Sequence, residues 1–237
     1  MNEKPARSGM IKSSKALLSI AKAEALGDAC FSHILTCIRP GVTEKAIAAE
    51  IEKFLTDNGS QGLAFPIICV SGAGTTDPHG VPSDKTIERG DFVVLDFGAR
   101  INGYCGDMTR TEAVGRASSA QKNVYDIVLR AQTASIAALR EGAHCSLVDR
   151  AAREIIEEAG YGQYYVHGTG HGVGKKVHES PRLNAKSKHV LAEDMPVTVE
   201  PGIYIPNKFG VRIEDLLIVT KFGAVNLTRS EKKLIVL

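Results

Sequence analysis

The 237-residue sequence has no tryptophan, only six tyrosines and seven phenylalanines, and no long apolar run. A membrane-spanning helix needs ~18 or more largely apolar residues, so no membrane partner is expected. Residues 1–9 lack the apolar core of a secretory signal. The five cysteines (Cys30, Cys37, Cys69, Cys105, Cys145) are odd in number and form no C-x-x-C pair. They read as reduced thiols, which with the missing signal points to a cytoplasmic protein. Matches to N-x-[ST] at Asn58 and Asn226 are then coincidental. Neither sign of charge dominates: 29 Lys and Arg stand against 27 Asp and Glu, with no basic run. A nucleic-acid partner is therefore not expected. Also missing are the G-x-S-x-G elbow of serine hydrolases, the H-E-x-x-H of helical zinc proteases and the G-x-G-x-x-G of dinucleotide binders.

What is present is a globular composition, 43% hydrophobic and 24% charged. Apolar spacing predicts a long helix over 10–38, stopped by Pro40-Gly41. A second helix is capped by Thr43, carries Ile47, Ile51 and Leu55, and ends near Gly59. Residues 67–70 and 92–98 read as strands on either side of a Gly/Pro-rich loop. Further helices open at Ser118 or Ser119 and at Ser146, and strands follow over 196–205, 211–220 and 224–227. With no linker or low-complexity stretch, the expectation is a frayed tail over 1–9 and one domain over 10–237. The order of helices then strands, twice over, suggests two similar halves around one site.

Asn102-Gly103 is a two-residue hairpin signal, and it sets a register. Ile101 then pairs with Tyr104, Asp96 lies opposite Thr109, and Gly98 lies opposite Asp107. Facing alternates with period two, so Asp96, Gly98, Asp107 and Thr109 share one face. The two carboxylates become diagonal neighbours, roughly 7–8 Å apart at the backbone. Val93, Leu95, Phe97, Tyr104 and Met108 form the opposite, core face. The last third repeats the pattern. A loop over 206–210 would pair Ile205 with Val211, Glu200 with Leu216 and Gly202 with Glu214, again leaving Glu200 and Glu214 on one face. Any one of these acids could equally be a solvated strand carboxylate. An acid followed two residues on by glycine, with a second acid on the paired strand, occurs twice and tips the reading toward a site. Two like charges at about 4 Å cost ~4 kcal/mol at an effective dielectric near 20, so converging carboxylates need protons or cations.

Three of seven histidines, His167, His171 and His178, fall in one glycine-rich segment. A lone histidine is more often structural, but three together shift the balance toward a site. His79 sits on the long loop, where functional residues concentrate. Cys105 reads as a packed thiol.

Together, Val-Val-Leu-Asp96-Phe-Gly-Ala, Cys-Gly-Asp107-Met-Thr-Arg-Thr, His167-Gly-Thr-Gly-His171-Gly-Val-Gly, His178-Glu-Ser-Pro, Val-Glu200-Pro-Gly-Ile-Tyr and Val-Arg-Ile-Glu214-Asp resemble the pita-bread metallopeptidases. The match is closer to the aminopeptidase P and Xaa-Pro dipeptidase branch than to methionine aminopeptidases. The resemblance implies an α+β pita-bread fold with two pseudo-symmetric halves around a curved antiparallel sheet. It implies a dinuclear centre with Asp96, Asp107, His171, Glu200 and Glu214 as ligands, Asp107 and Glu214 bridging. Glu200 would also act as general base on a metal-bridging hydroxide, and His178 and His79 would contact the substrate and stabilise the intermediate. His167, Tyr204, Arg212 and Thr109 would bind substrate or support the ligands. The oxygen-rich ligand set suits Mn²⁺, with Co²⁺, Fe²⁺ or Zn²⁺ as alternatives. The implied activity is metal-dependent hydrolysis of the N-terminal Xaa-Pro bond by a monomer or homodimer. The alternatives are a methionine aminopeptidase and a catalytically inactive binding homologue.

Two departures from the resemblance bear on substrate. Relatives usually carry a separate N-terminal domain, whereas only a short tail precedes the catalytic part here, so longer Xaa-Pro peptides are expected as substrates. The loop carrying His79 has Thr75, Thr76 and Asp77 where relatives often carry Asn-Ser and an apolar residue. A third change, Glu193-Asp194-Met195-Pro196 before the Glu200 strand, lies away from the ligand positions.

Overall fold

The computed structural model describes residues 9–237. The tail expected over 1–9 lies outside them except for Gly9, which stands in an exposed turn. Two helices come first, α1 (Ser14–Ile34) and α2 (Glu44–Asp57). The hydroxyls of Ser13 and Thr43 cap them by accepting from the amides of Ala16 and Ala46. The apolar stripe over 10–38 overshoots α1 at both ends. Met10 and Ile38 are buried without being helical, so burial prolongs the pattern past the helix.

The first strands are β1 (Ile68–Ser71), β2 (Phe92–Phe97), β3 (Arg100–Ile101), β4 (Tyr104–Cys105) and β5 (Met108–Ala113). The order then recurs: α3 (Ser119–Ala138), α4 (Cys145–Glu158), β6 (Gly170–Gly172), β7 (Glu179–Leu183), β8 (Pro196–Val199), β9 (Gly202–Ile205), β10 (Phe209–Arg212), β11 (Asp215–Thr220) and β12 (Gly223–Asn226). The sheets run β1-β2-β5 and β12-β11-β8-β6-β7, with β3-β4 and β9-β10 as ribbons, and neighbouring strands pair antiparallel. Ser118 opens α3 with a reciprocal capping box to Gln121. Ser146 does not open α4. His144 occupies that position without a side-chain cap, and the Cys145 amide donates instead to His189 O at 3.0 Å.

The first hairpin has the expected register, with Asp96 opposite Thr109 and Ile101 opposite Tyr104. Asn102 and Gly103 take φ of 51° and 78°, as the two-residue turn requires. Gly98 and Asp107 fall in the break between the two ladders and are not paired. Val93, Leu95, Phe97 and Met108 pack against α1 and α2, while Tyr104 is half-buried against a smaller cluster containing Ile20 and Cys105.

The second hairpin is tighter than expected. Ile205 pairs with Phe209, Gly202 lies opposite Arg212, and Leu216 lies opposite Thr198. Glu200 is therefore not opposite Leu216, nor Gly202 opposite Glu214. Dropping two residues from the loop preserves parity, so Glu200 and Glu214 still share a side, in the break between these ladders. The halves meet at a bridge between Thr109 and Glu214, where the Glu214 amide donates to Thr109 O at 3.1 Å.

Candidate metal centre

Five of the residues singled out from the sequence meet in one cleft of about 660 Å³: Asp96, Asp107, His171, Glu200 and Glu214. Asp96 comes from β2, Asp107 from the residue before β5, and His171 from the middle of β6. Glu200 and Glu214 come from the ladder break. Donor atoms of Asp107, His171 and Glu214 lie within 4.8 Å of one another. His171 Nδ1 donates to Gly172 O at 3.1 Å, which turns Nε2 toward the acids. That atom is 3.1 Å from Glu200 Oε1 and 3.6 Å from Asp107 Oδ2. A ring nitrogen facing two carboxylates requires a proton or a cation between them.

The electrostatics agree. Burial and the neighbouring acids push the Asp107 and Glu214 carboxyls well above the ordinary range. Burial raises Asp96 as well, against the pull of Arg212. Burial would also raise Glu200, but the hydrogen bond and charge of His171 bring it down to about 2. Asp96 Oδ1 is buried with no hydrogen-bond partner. Hard oxygen donors, one oriented imidazole and an orphaned carboxylate oxygen fit a pair of divalent cations.

Arg212 supports this cluster. Its buried guanidinium pairs with Asp96 Oδ2 and donates to Thr109 Oγ1 at 3.1 Å, Tyr204 OH at 2.9 Å and Pro78 O at 3.2 Å. Thr109 Oγ1 donates in turn to Glu214 Oε2 at 2.6 Å. His167 Nδ1 faces Gly168 O at 2.7 Å and must donate there, so Nε2 accepts from Tyr204 OH at 2.8 Å. Burial lowers the His167 pKa, consistent with this neutral ring. Thus Thr109 holds Glu214 and Arg212 holds Asp96, while Tyr204 links Arg212 to His167.

His178 and His79 also line the cleft, both exposed. The His178 ring meets that of His171 edge-on at 4.4 Å. Asp77 Oδ1 accepts from the His79 amide at 2.9 Å, so the unusual aspartate of this loop shapes the turn that presents His79.

Three contributors were not evident from the sequence. Thr198 Oγ1 accepts from the His171 amide and donates to Glu200 Oε1, both at 3.1 Å. Glu24 Oε2 accepts from the Asp107 amide at 2.9 Å. Glu44 Oε1 accepts from Ser71 N and Oγ at 2.7 and 2.8 Å, and Oε2 from Ser83 N and Oγ at 3.0 and 2.7 Å. One buried carboxylate thereby closes both ends of the His79 loop. The signal was an acid on the apolar stripe: Glu24 follows Ile20 by one turn, and Glu44 precedes Ile47.

The family model for metallopeptidase family M24 matches residues 19–221. The chain belongs to this family. Among its relatives, a Xaa-Pro dipeptidase of Pyrococcus furiosus is 44% identical over 226 residues, covering 95% of this chain and 65% of the relative. The uncharacterized peptidase YqhT of Bacillus subtilis is 46% identical over 228 residues, covering 96% and 65%. The solved Xaa-Pro dipeptidase from Bacillus anthracis superposes with TM-score 0.95 at 47% identity, covering 96% of this chain and 64% of that one. The prolidase from Pyrococcus furiosus gives 0.92 at 44%, covering 94% and 66%. The chain thus spans less than two thirds of the length of the curated relatives it matches first. As an M24 chain it has the α+β pita-bread fold expected from its motifs.

Proposed function

We propose that this chain hydrolyses the bond between an N-terminal residue and a following proline in peptides, using two divalent cations, Mn²⁺ first. The observation that carries the reading is the convergence of Asp96, Asp107, His171, Glu200 and Glu214 in a cleft walled by Phe65, Pro66, Ile67 and Val81. Relatives named Xaa-Pro dipeptidase and prolidase support the substrate class. Asp96, Asp107, His171, Glu200 and Glu214 would hold the ions. When bound, the cations supply Lewis acidity, lowering the pKa of a water and polarising the scissile carbonyl.

The chain's own residues supply the rest. Glu200 Oε1 is engaged by Thr198 and His171, which leaves Oε2 to take a proton from the attacking water and deliver it to the departing proline nitrogen. His178 and His79, in the cleft and exposed, donate to oxygens of the substrate as charge develops. The apolar wall receives the proline ring and limits water. Arg212 compensates one of the four carboxylates. Among the described residues no helix is long and apolar enough to cross a membrane. A reducing, cytoplasmic location accords with the five free cysteines, and the balanced charge accords with no nucleic-acid partner.

The test compares kcat/KM on Ala-Pro, Ala-Pro-Ala and Met-Ala peptides after chelation and reloading with Mn²⁺. A preference for the Xaa-Pro peptides above about tenfold, ~1.4 kcal/mol of transition-state binding, is expected. Preferential cleavage of Met-Ala would instead identify a methionine aminopeptidase. Metal uptake without turnover would identify a binding protein.

A further inference from the structure

Away from the cleft, three half-buried side chains converge: His33 in the last turn of α1, Cys37 in the turn that follows, and Glu50 in α2. Their donor atoms lie within 4.8 Å of one another. His33 Nε2 is 2.6 Å from Glu50 Oε1 and 3.8 Å from Cys37 Sγ. The same ring nitrogen makes both contacts. A nucleophile with its base and orienting acid uses opposite ring nitrogens, so this is not a catalytic relay. A surface His–Glu pair accounts for the shorter contact. The thiol also reaches back to His33 O at 3.7 Å and lies 3.8 Å from Thr36 Oγ1, but neither contact requires it to face the ring nitrogen that Glu50 holds. The ring is also set in advance: it stacks on Phe54 with centroids 4.8 Å apart and planes at 21°. A four-residue spacing places His33 and Cys37 on one side of the helix end.

We propose that His33, Cys37 and Glu50 form a second metal site, for a borderline-soft divalent cation, Zn²⁺ first, with water as the fourth ligand. Thiolate, imidazole and carboxylate are the ligand types of tetrahedral zinc, at about 2.0–2.3 Å from the ion. Donors around such an ion stand roughly 3.3–3.8 Å apart. The His33–Cys37 spacing already fits, and the His33–Glu50 contact opens by about 0.7 Å when the ion replaces their shared proton. The site differs in kind from the cleft, whose converging donors include no sulfur. Thiolate selects zinc or cobalt, whereas the oxygen-rich cleft suits manganese. Bound metal would staple the end of α1 to α2, the helices that carry Glu24 and Glu44.

Co²⁺ titrated into the full chain tests this. A thiolate-to-cobalt charge-transfer band reports this site, because burial pushes the thiols of Cys30, Cys69, Cys105 and Cys145 up and away from ionisation. The expected result is a band that Zn²⁺ displaces and Mn²⁺ does not. It should vanish in Cys37→Ser and need at least about tenfold more Co²⁺ in His33→Ala and Glu50→Gln. Zn²⁺ should also raise the melting temperature of the unaltered chain and not of His33→Ala. Lack of a band in the unaltered chain, or its persistence in Cys37→Ser, overturns the proposal. So does a band unchanged in both His33→Ala and Glu50→Gln, which would mean that Cys37 takes up metal alone.

Discussion

Replacing Thr198 by valine tests how the centre is held. The hydroxyl is fully buried and serves two of the five converging residues, accepting from the His171 amide and donating to Glu200 Oε1. Valine keeps nearly the same volume but leaves the amide unpaired and takes a donor from a carboxylate. An unpaired buried amide costs ~1–3 kcal/mol, and a hydrogen bond to a charged group is worth about 1.5–3 kcal/mol. Taken together, a loss on the order of 2–4 kcal/mol follows, allowing for partial relaxation. For a chain of this size each kcal/mol moves the melting temperature by about 2–4 °C, so Thr198→Val should melt roughly 4–16 °C lower. Partners behind metal ligands are typically worth about 10–100-fold in metal affinity, and the upper end is expected here because one hydroxyl fixes both His171 and Glu200. Calorimetric titration of chelated protein with Mn²⁺ gives the dissociation constant. Thr198→Ser keeps the hydroxyl and should stay within about threefold of the unaltered chain. If Thr198→Val bound Mn²⁺ as tightly as the unaltered chain while melting lower, the hydroxyl would be a packing device and the reasoning would fail.

Other outcomes follow from particular groups. Glu44→Gln places an amide NH₂ against donors at one end of the His79 loop. Protease cutting within 72–82 should rise and kcat on Ala-Pro should fall about tenfold with bound metal unchanged; an uncut loop and unchanged kcat would refute the clamp. His178→Ala and His79→Ala should each lower kcat/KM by on the order of 10²–10³ and leave metal stoichiometry intact, so loss of an ion in either would make that histidine a ligand. Burial raises the Glu112 pKa to about 8, and its Oε1 has no partner. Folded protein then keeps a proton that the unfolded chain releases, so this contribution is fully present below the unfolded pKa near 4.5 and is lost as pH rises through about 8. Urea unfolding at about pH 5 and about pH 9 should show this loss, on the order of 3–5 kcal/mol, missing from Glu112→Gln; parallel curves for the two proteins would exclude it.

The sequence was most legible where local chemistry dictates geometry. Asn102-Gly103 admits a two-residue turn, and the register of Asp96 against Thr109 followed from it. The second hairpin misled because Gly210 reads as loop but lies in β10. A Cβ there would stand 2.0 Å from Thr75 O, so the glycine serves a tertiary approach that no local pattern announces. The facing of Glu200 and Glu214 survived because both loop lengths are odd. The motifs located the five residues that converge in the cleft but not Thr198, Glu24 or Glu44. Their roles depend on which backbone amides the fold brings within reach.

We infer that the acidic cluster binds two divalent ions on which hydrolysis depends. Equilibrium dialysis of chelated protein against Mn²⁺, run on the unaltered chain and on Asp107→Asn with Ala-Pro hydrolysis followed in the same samples, tests it most directly. Two tightly held ions and restored turnover are expected in the unaltered chain, and loss of both the ions and the turnover in Asp107→Asn. Full Mn²⁺ binding by Asp107→Asn, or hydrolysis that persists in chelated protein, would contradict it.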